Sequence, residues 1–335
     1  MSPQVARAGA WFLNSGIQET SGGVARYYRV DLERNLPLST EITGYAASAL
    51  AYLEAISGDQ RYRDAASAAA HFLECAWDPA ATAMPFEIDP PRFSYFFDCG
   101  IIVRGLLAAG GSREIASAIG RSMVRDFDTG RDFHPILTLP EKCPVERDPL
   151  RWSQSSGCYQ LKSALALLDL GEPDLYRRHL EHSLRTYGNY LPGHPDPMKV
   201  VDRLHPFLYF LEGLLPVADE PRCAAALCDG IRRAAHTLRE LAPVFERADV
   251  YAQLLRIRIY ADAAGAAPLD HDAAGWEAGQ LRQFQVESPD PRIDGGFYFG
   301  RCGSQWIPHV SPVPAAFAIQ ALSMWESGQA SARVI

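Results

Sequence analysis

Two acidic residues, Glu41 and Asp98, occupy equivalent places in two Gly/Ala/Leu-rich segments, seven or eight residues before the small residues Ala49 and Gly105. Two carboxyl groups that face one cavity can cleave a glycosidic bond, because one protonates the leaving oxygen while the other acts as base or nucleophile. Asp98 is the favoured acid. Its expected partner is Glu41 or Asp249, which begins another such segment.

A structural role explains the same acidic residues equally well. Asp and Glu in the first turn of a helix stabilise the positive end of the helix dipole. Asp202 and Asp249 both stand near expected helix starts, where capping is a common role. The sequence therefore leaves open whether these carboxyl groups are catalytic.

Two histidines point to a different reaction. His205 is followed by Pro206, and proline is favoured at the first helical position, so His205 is predicted to cap an apolar helix. His309 stands just before Pro312 and Pro314, at the expected start of another. Two imidazoles that share one cavity can take and return a proton on opposite faces of a sugar carbon. A structural, hydrogen-bonded role stays open for both histidines.

Aromatic and arginine side chains concentrate in the same stretches of the chain. Flat rings stack against sugar faces, and guanidinium groups bind carboxylates in a bidentate manner, so the combination hints at an acidic saccharide. Core packing accounts for many of these rings as well. The candidate substrate-binding residues are Tyr28, Tyr45, Tyr95, Trp152, Tyr159, Tyr209, Tyr251, Phe297 and Trp306, with Arg247 and Arg301.

A repeat positions all of these residues. Six apolar helical segments recur at intervals of roughly fifty residues, and each is followed by a tight turn and a more charged helical segment. This pattern predicts twelve helices in strict alternation, arranged as a closed ring of six hairpins with the apolar helices inside. The apolar segments begin near Glu41, Asp98, Gln154, His205, Asp249 and Pro312, and the amphipathic ones near Pro3, Gln60, Ser112, Pro173, Pro221 and Leu269.

The connections between helices also alternate in length. Turns that leave the apolar helices are short, whereas those that enter them are mostly long and cover about 16–38, 78–95, 128–152, 191–204 and 286–311. Long loops in a compact domain are usually functional, so the site is predicted at the end of the ring where the inner helices begin. Short β-hairpins are expected there, at 295–300 and 24–31.

Composition predicts one domain spanning 1–335 and excludes several classes of function. The net charge of −8 gives no basic surface for nucleic acid, and no apolar run approaches the length of a membrane span. The amino terminus lacks the order of a secretory signal, and the seven cysteines form no C-x-x-C pair. We expect a cytoplasmic protein without a metal or other cofactor; its oligomeric state stays open.

The layout resembles the (α/α)6 toroid of the six-hairpin glycosidase superfamily, which includes glucanases, unsaturated glucuronyl hydrolases, sugar 2-epimerases and several polysaccharide lyases. The segment 40–45 looks like the start of a first inner helix in such proteins, and 294–301 followed by 306–309 is similar to the loop before their last one. In the resembling 2-epimerases, histidines on inner helices transfer the proton, and His205 and His309 match them roughly in helix order. Terpene cyclases share a related toroid, but their aspartate-rich signatures are absent here.

Three functions therefore remain open. The leading hypothesis is a glycoside hydrolase or related lyase that uses a carboxylate pair at the mouth of the toroid. The second is a cofactor-independent sugar epimerase or isomerase that uses His205 and His309. The third is a non-catalytic toroid that binds a saccharide or a protein.

Overall fold

The chain folds into a ring of helical hairpins, as seen in a computed structural model that describes residues 1–242 and 244–335. Within these residues twelve α-helices alternate between an inner and an outer position. The inner helices are α2 (Thr40–Ser57), α4 (Phe96–Ala108), α6 (Leu161–Leu170), α8 (Pro197–Leu214), α10 (Ala248–Ala263) and α12 (Pro312–Ser327). The outer helices are α1 (Pro3–Asn14), α3 (Gln60–Ala76), α5 (Arg113–Ser122), α7 (Pro173–Thr186), α9 (Pro221–Leu241) and α11 (His271–Arg282).

The inner helices form a closed circle. Each packs against the next in the order α2, α4, α6, α8, α10 and α12, and α12 packs back against α2. The predicted all-α (α/α)6 toroid is therefore confirmed. Its inner helices approach closely at small residues: a Cβ at Gly105 of α4 would stand 2.5 Å from the carbonyl oxygen of Gly44 on α2.

Two of the inner helices begin at other residues than predicted. Helix α8 begins at Pro197, with the Asp196 side chain accepting from the Met198 amide, so His205 and Pro206 lie inside the helix. The prediction that His205 caps it was wrong, because an earlier proline takes the first helical position. Helix α6 begins at Leu161 and not near Gln154, since two short 3₁₀ turns precede it.

Short antiparallel strands pair between the loops that enter the inner helices. Strand β1 (Tyr28–Arg29) pairs with β2 (Arg34–Asn35) and with β8 (His309–Val310), which joins both ends of the chain. The others are β3 (Phe93–Tyr95) with β4 (Ile136–Thr138), and β5 (Phe245–Arg247) with β6 (Gly300–Cys302) and β7 (Gln305–Trp306). The hairpin predicted at 295–300 instead forms isolated bridges to Gln285 and Val310, and its strand begins only at Gly300.

The last residues cover the opposite end of the ring. Lys162 donates to the Ile335 carbonyl oxygen at 2.5 Å, and Arg104 donates to that of Val334 at 2.7 Å. Arg333 forms an ion pair with Asp169 at 2.6 Å. No helix in the described part of the chain is both long and apolar enough to cross a membrane.

Candidate active site

A cavity of about 420 Å³ opens at the end of the ring where the inner helices begin. Seven residues singled out from the sequence line it together: Glu41, Trp152, His205, Tyr209, Arg247, Asp249 and His309. The rest of the lining comes from the loops and helix starts around them, and consists of Arg26, Tyr27, Ser39, Ile42, Phe86, Phe299, Ser311, Val313 and Pro314. The cavity therefore combines carboxyl, imidazole, guanidinium and aromatic groups.

His205 is buried in the wall of this cavity and held through one ring nitrogen. Its Nδ1 lies 2.7 Å from Oε1 of Gln253 and 3.4 Å from Oδ2 of Asp249. Burial lowers the pKa of His205 to about 4, although Asp249 favours the charged imidazolium. The imidazole is therefore neutral near pH 7, with Nδ1 engaged and Nε2 free of a protein partner in the described part of the chain.

Arg247 and Asp249 form a buried ion pair beside His205. The guanidinium donates to both carboxylate oxygens of Asp249, at 3.0 and 2.5 Å, and also to Asp202 at 3.3 Å. Burial opposes ionisation of Asp249, but the Arg247 charge holds the pKa of that carboxyl below its usual value. Asp249 is thus ionised, with both of its oxygens already occupied by hydrogen bonds.

His309 reaches the cavity from strand β8, just ahead of α12. Its ring stacks on Tyr27, with the ring centroids 4.2 Å apart, and β8 pairs with β1 at Arg29. Burial, followed by the charge of Arg29, lowers the pKa of His309. The ring is half-buried, so solvent reaches it more readily than it reaches His205.

Glu41 and Asp98 are carboxyl groups in the first turns of the neighbouring helices α2 and α4. Burial raises the pKa of Glu41 to about 7, against the opposing charge of Arg26. Burial and the neighbouring Glu41 raise the pKa of Asp98 well above its ordinary value. Asp98 lies outside the cavity lining, and its buried Oδ2 has no hydrogen-bond partner within the described residues. At neutral pH this pair therefore retains at least one proton.

Two tyrosines lie at the inner end of the cavity. Tyr45 donates its hydroxyl hydrogen to the hydroxyl oxygen of Tyr209 at 2.9 Å, and Phe317 packs edge-on against Tyr45. Tyr45 is buried behind Tyr209, which is the member of the pair that lines the cavity. Lys162 lies beneath these rings, 5.2 Å from the centroids of Tyr209 and Phe317.

The other predicted binding residues lie elsewhere in the molecule. Tyr251 donates to Glu246 at 2.5 Å, and Tyr159 donates to the Ser155 carbonyl oxygen at 3.0 Å. The remaining ones lie outside the cavity lining and pack against other protein groups. Tyr95 lies behind the lining residue Phe86. The others are Tyr28 under Arg292, Phe297 in the core, Arg301 on Glu246, and Trp306 stacked on Tyr298. Their proposed substrate contacts remain predictions.

The sequence also held an unused signal. Lys162, Glu212 and Arg256 are ionisable residues within apolar inner helices, and all three are fully buried. Charged residues are almost never fully buried unless paired, so their placement in these segments indicates a buried network. No group of three or more His, Cys, Asp or Glu side chains within 1–242 and 244–335 is arranged to hold a metal ion.

Comparisons with solved structures identify the fold. A sugar epimerase from a ruminal bacterium superposes with a TM-score of 0.72 at 10% identity, covering 97% of each chain. Cellobiose 2-epimerase from Spirochaeta thermophila DSM 6192 gives 0.70 at 13% identity, over 96% of this chain and 94% of that one. The type II terpene cyclase MstE from Scytonema gives 0.59 at 14% identity, over 97% of both.

Sequence comparison adds no closer relative, because no protein-family model matches the chain and no curated protein is significantly similar to it. Identities this low establish the fold alone, and the proteins that share it include two sugar epimerases and a terpene cyclase. The resemblance inferred from the repeat pattern is thereby confirmed as architecture: the chain folds as an (α/α)6 toroid of six helical hairpins, as these solved structures do.

Proposed function

We propose that the protein is a cofactor-independent sugar epimerase or isomerase that acts on a free sugar at the cavity. The observation that carries this proposal is His205, a neutral imidazole in the cavity wall that is held through Nδ1 and leaves Nε2 available as a base. His309 supplies a second imidazole to the same cavity. Two of the solved structures with the same fold are sugar epimerases, which supports this choice of reaction.

In the proposed reaction, Nε2 of His205 removes the proton from the carbon next to the carbonyl of an open-chain aldose. The C–H electron pair becomes the C1–C2 double bond, and the carbonyl electrons move to O1, which takes a proton from Glu41. His309, which takes up a proton from the solvent that reaches its half-buried ring, then gives that proton to C2 from the other face, while Glu41 recovers its own. The two histidines re-equilibrate with water after each turnover.

Glu41 suits the acid role in this scheme. With its pKa raised to about 7, a substantial fraction of Glu41 carries a proton near neutral pH, whereas an ordinary glutamate is almost fully ionised there. Since it lines the same cavity as His205 and His309, we propose that it protonates the sugar carbonyl oxygen as negative charge develops there.

A glycoside hydrolase is the second candidate, and Glu41 is the observation that favours it, because a carboxylic acid protonated near neutral pH can protonate a leaving oxygen. Its partner would have to be Asp249 or Asp98. Arg247 already occupies both oxygens of Asp249, and Asp98 lies outside the cavity lining. Neither is as available as the free Nε2 of His205, so hydrolysis ranks second.

The lining of the cavity bears on the third hypothesis, a toroid that binds a ligand without catalysing a reaction. Its lining includes five ionisable groups that the sequence marked as functional, and apolar side chains do not fill its volume of about 420 Å³. A pocket of this size lies in the range that holds small ligands. Binding alone requires neither an imidazole with a free nitrogen nor a carboxyl group with its pKa raised to about 7, so we rank a binding-only role below both reactions.

The test is to incubate the protein in heavy water with a panel of reducing sugars and oligosaccharides, and to follow the products by NMR. We expect deuterium at the carbon next to the carbonyl, with a new epimer or ketose and no chain cleavage. His205→Asn and His309→Asn should each lower the rate by roughly 10²–10⁴-fold. The control is His71→Asn, because this exposed histidine on an outer helix should leave the rate unchanged.

Two other results would contradict the proposal. Release of a shorter saccharide without deuterium at that carbon would favour the hydrolase, and Glu41→Gln should then abolish cleavage. If titration calorimetry shows that a saccharide binds but no turnover is detected, the result would instead support the binding role.

A further inference from the structure

A fully buried cluster of three charged residues, Lys162, Glu212 and Arg256, lies beneath the cavity. None of the three takes part in the proposed reaction. Glu212 on α8 accepts a hydrogen bond from Lys162 at 2.6 Å and forms a second ion pair with Arg256. Gln253 on α10 donates its amide NH2 to Oε2 of the same carboxylate at 3.5 Å. Removing three charges from water is costly, so their presence directly under the site requires an explanation.

The cluster determines which way the Gln253 amide points. Glu212 as a carboxylate can only accept hydrogen bonds, so it requires the NH2 group of Gln253 on its side. The amide oxygen is then directed at the other neighbour, Nδ1 of His205, at 2.7 Å. A flipped amide would place its oxygen against the Glu212 carboxylate, which is repulsive in a buried environment.

The two cations keep Glu212 in the form that this requires. Burial opposes ionisation of Glu212, but the charges of Arg256 and Lys162 hold the pKa of its carboxyl below the ordinary value. Arg256 is itself fixed by donating to Gln320 at 3.2 Å, and Lys162 by donating to the Ile335 carbonyl oxygen at 2.5 Å. Arg256 and Lys162 thus hold Glu212 in place, and Glu212 in turn orients the amide of Gln253.

We propose that Gln253 and Glu212 are positioning residues that hold His205 as the Nδ1-protonated tautomer, so that Nε2 is the basic nitrogen offered to the cavity. The amide oxygen of Gln253 accepts the Nδ1 hydrogen, and the ionised Glu212 prevents the amide from turning. The negative charge of Asp249, whose Oδ2 lies 3.4 Å from the same nitrogen, also favours a hydrogen on Nδ1. The catalytic value of this tautomer rests on the proposed function, whereas the tautomer itself does not.

The tautomer can be measured without any substrate. In protein labelled with ¹⁵N-histidine, long-range ¹H–¹⁵N spectra distinguish a protonated from an unprotonated ring nitrogen, and the His205→Asn variant identifies the His205 signals. We expect Nδ1 protonated and Nε2 unprotonated near neutral pH. A protonated Nε2 with an unprotonated Nδ1 would overturn the proposal.

The variant that tests Gln253 is Gln253→Met, which keeps an unbranched side chain but removes both hydrogen bonds. We expect a mixture of the two His205 tautomers. The matched control is Gln160→Met, because Gln160 is equally buried and its amide donates to the Phe133 carbonyl oxygen, away from His205. An unchanged tautomer in Gln253→Met would show that Gln253 does not position His205.

The role of Glu212 is tested by the double variant Lys162→Met/Glu212→Gln, which removes both charges of the buried Lys162–Glu212 ion pair. The amide at 253 then has a neutral neighbour and can turn, so we again expect mixed tautomers with Gln253 still present. A single Nδ1-protonated tautomer in this variant would overturn the part assigned to Glu212.

Turnover separates this inference from the proposed function. If sugars are epimerised, Gln253→Met should lower kcat in proportion to the fraction of His205 that has lost the Nδ1-protonated form, about twofold for an even mixture of tautomers, with little change in KM. The expected tautomer without turnover of any sugar would support the positioning and contradict the epimerase. Epimerisation with the opposite tautomer would contradict the positioning alone.

Discussion

Glu41 and Asp98 show how strongly surroundings alter one kind of residue in this site. Both are carboxyl groups in the first turns of inner helices, where an ionised form would be favoured by the helix dipole. Burial outweighs that effect and raises the pKa of both groups, and the charge of Glu41 raises the pKa of Asp98 further. Asp249, in the corresponding turn of α10, remains ionised because Arg247 pairs with it.

Replacing Glu41 should change how the stability of the protein depends on pH. The pKa of Glu41 is raised in the folded protein from an ordinary 4.5 to about 7. The folded form therefore binds this proton more tightly than the unfolded chain, and the resulting stabilisation is present below pH 4.5 and lost as pH rises through about 7. Glu41→Gln removes this dependence, so its melting temperature relative to the unmodified protein should rise between about pH 5 and pH 8.

The measurement is thermal unfolding followed by circular dichroism across that range. Glu19→Gln serves as the control, because it makes the same chemical change at an exposed glutamate outside the cavity. A difference for Glu41→Gln that is flat with pH would mean that Glu41 is ionised throughout.

At the scale of the helices, close approach around the axis depends on residues without side chains. A Cβ at Gly105 would stand 2.5 Å from the Gly44 carbonyl oxygen and 2.8 Å from its Cα, both on the neighbouring helix. Main-chain atoms cannot move aside as a flexible side chain does. The spacing of α2 and α4, and hence of Glu41 and Asp98, is set by this contact.

Gly105→Ala should therefore destabilise the protein although alanine favours helix. We expect a loss of about 1–3 kcal/mol in the free energy of unfolding, the range for overpacked cores. The comparison is Gly279→Ala on outer helix α11, where an added Cβ would meet no atom within 4 Å and a gain of about 0.5–1 kcal/mol is expected. Urea unfolding measures both, and equal effects would contradict the close packing of α2 on α4.

At the scale of the whole molecule, the ring is completed by contacts between distant parts of the chain. Helix α1 packs against α12, and Trp11 of α1 donates to the Arg292 carbonyl oxygen at 2.9 Å. Arg7 forms an ion pair with Asp294 at 2.8 Å. The loop that carries His309 into the cavity is thus braced by the first helix.

Trp11→Ala should weaken this closure and lower the stability of the protein. Trp11 is 1% exposed, so its removal leaves a large cavity and is expected to cost about 3–5 kcal/mol. Trp306→Ala is the comparison, since Trp306 is 38% exposed and its loss should cost clearly less. Denaturant unfolding monitored by circular dichroism gives both values, and a small effect at Trp11 would mean that the ring does not depend on this contact.

Much of the architecture followed from the sequence alone. The periodicity of small and apolar residues predicted twelve alternating helices and the end of the ring that carries the long loops, because both signals are local. That architecture also brought Glu41, His205, Asp249 and His309 to one cavity, as the sequence suggested. The prediction of a single domain over 1–335 remains a prediction.

What each of these side chains does was decided only by the tertiary structure. Tyr209 lines the cavity whereas Tyr251 binds Glu246, although both lie on inner helices. The sequence contains no measure of how far a helix is rotated about its axis, and that rotation decides which side chains face the cavity. Nor does it reveal that Gln253 lies against His205, since the two residues are 48 positions apart and meet only through the packing of their helices.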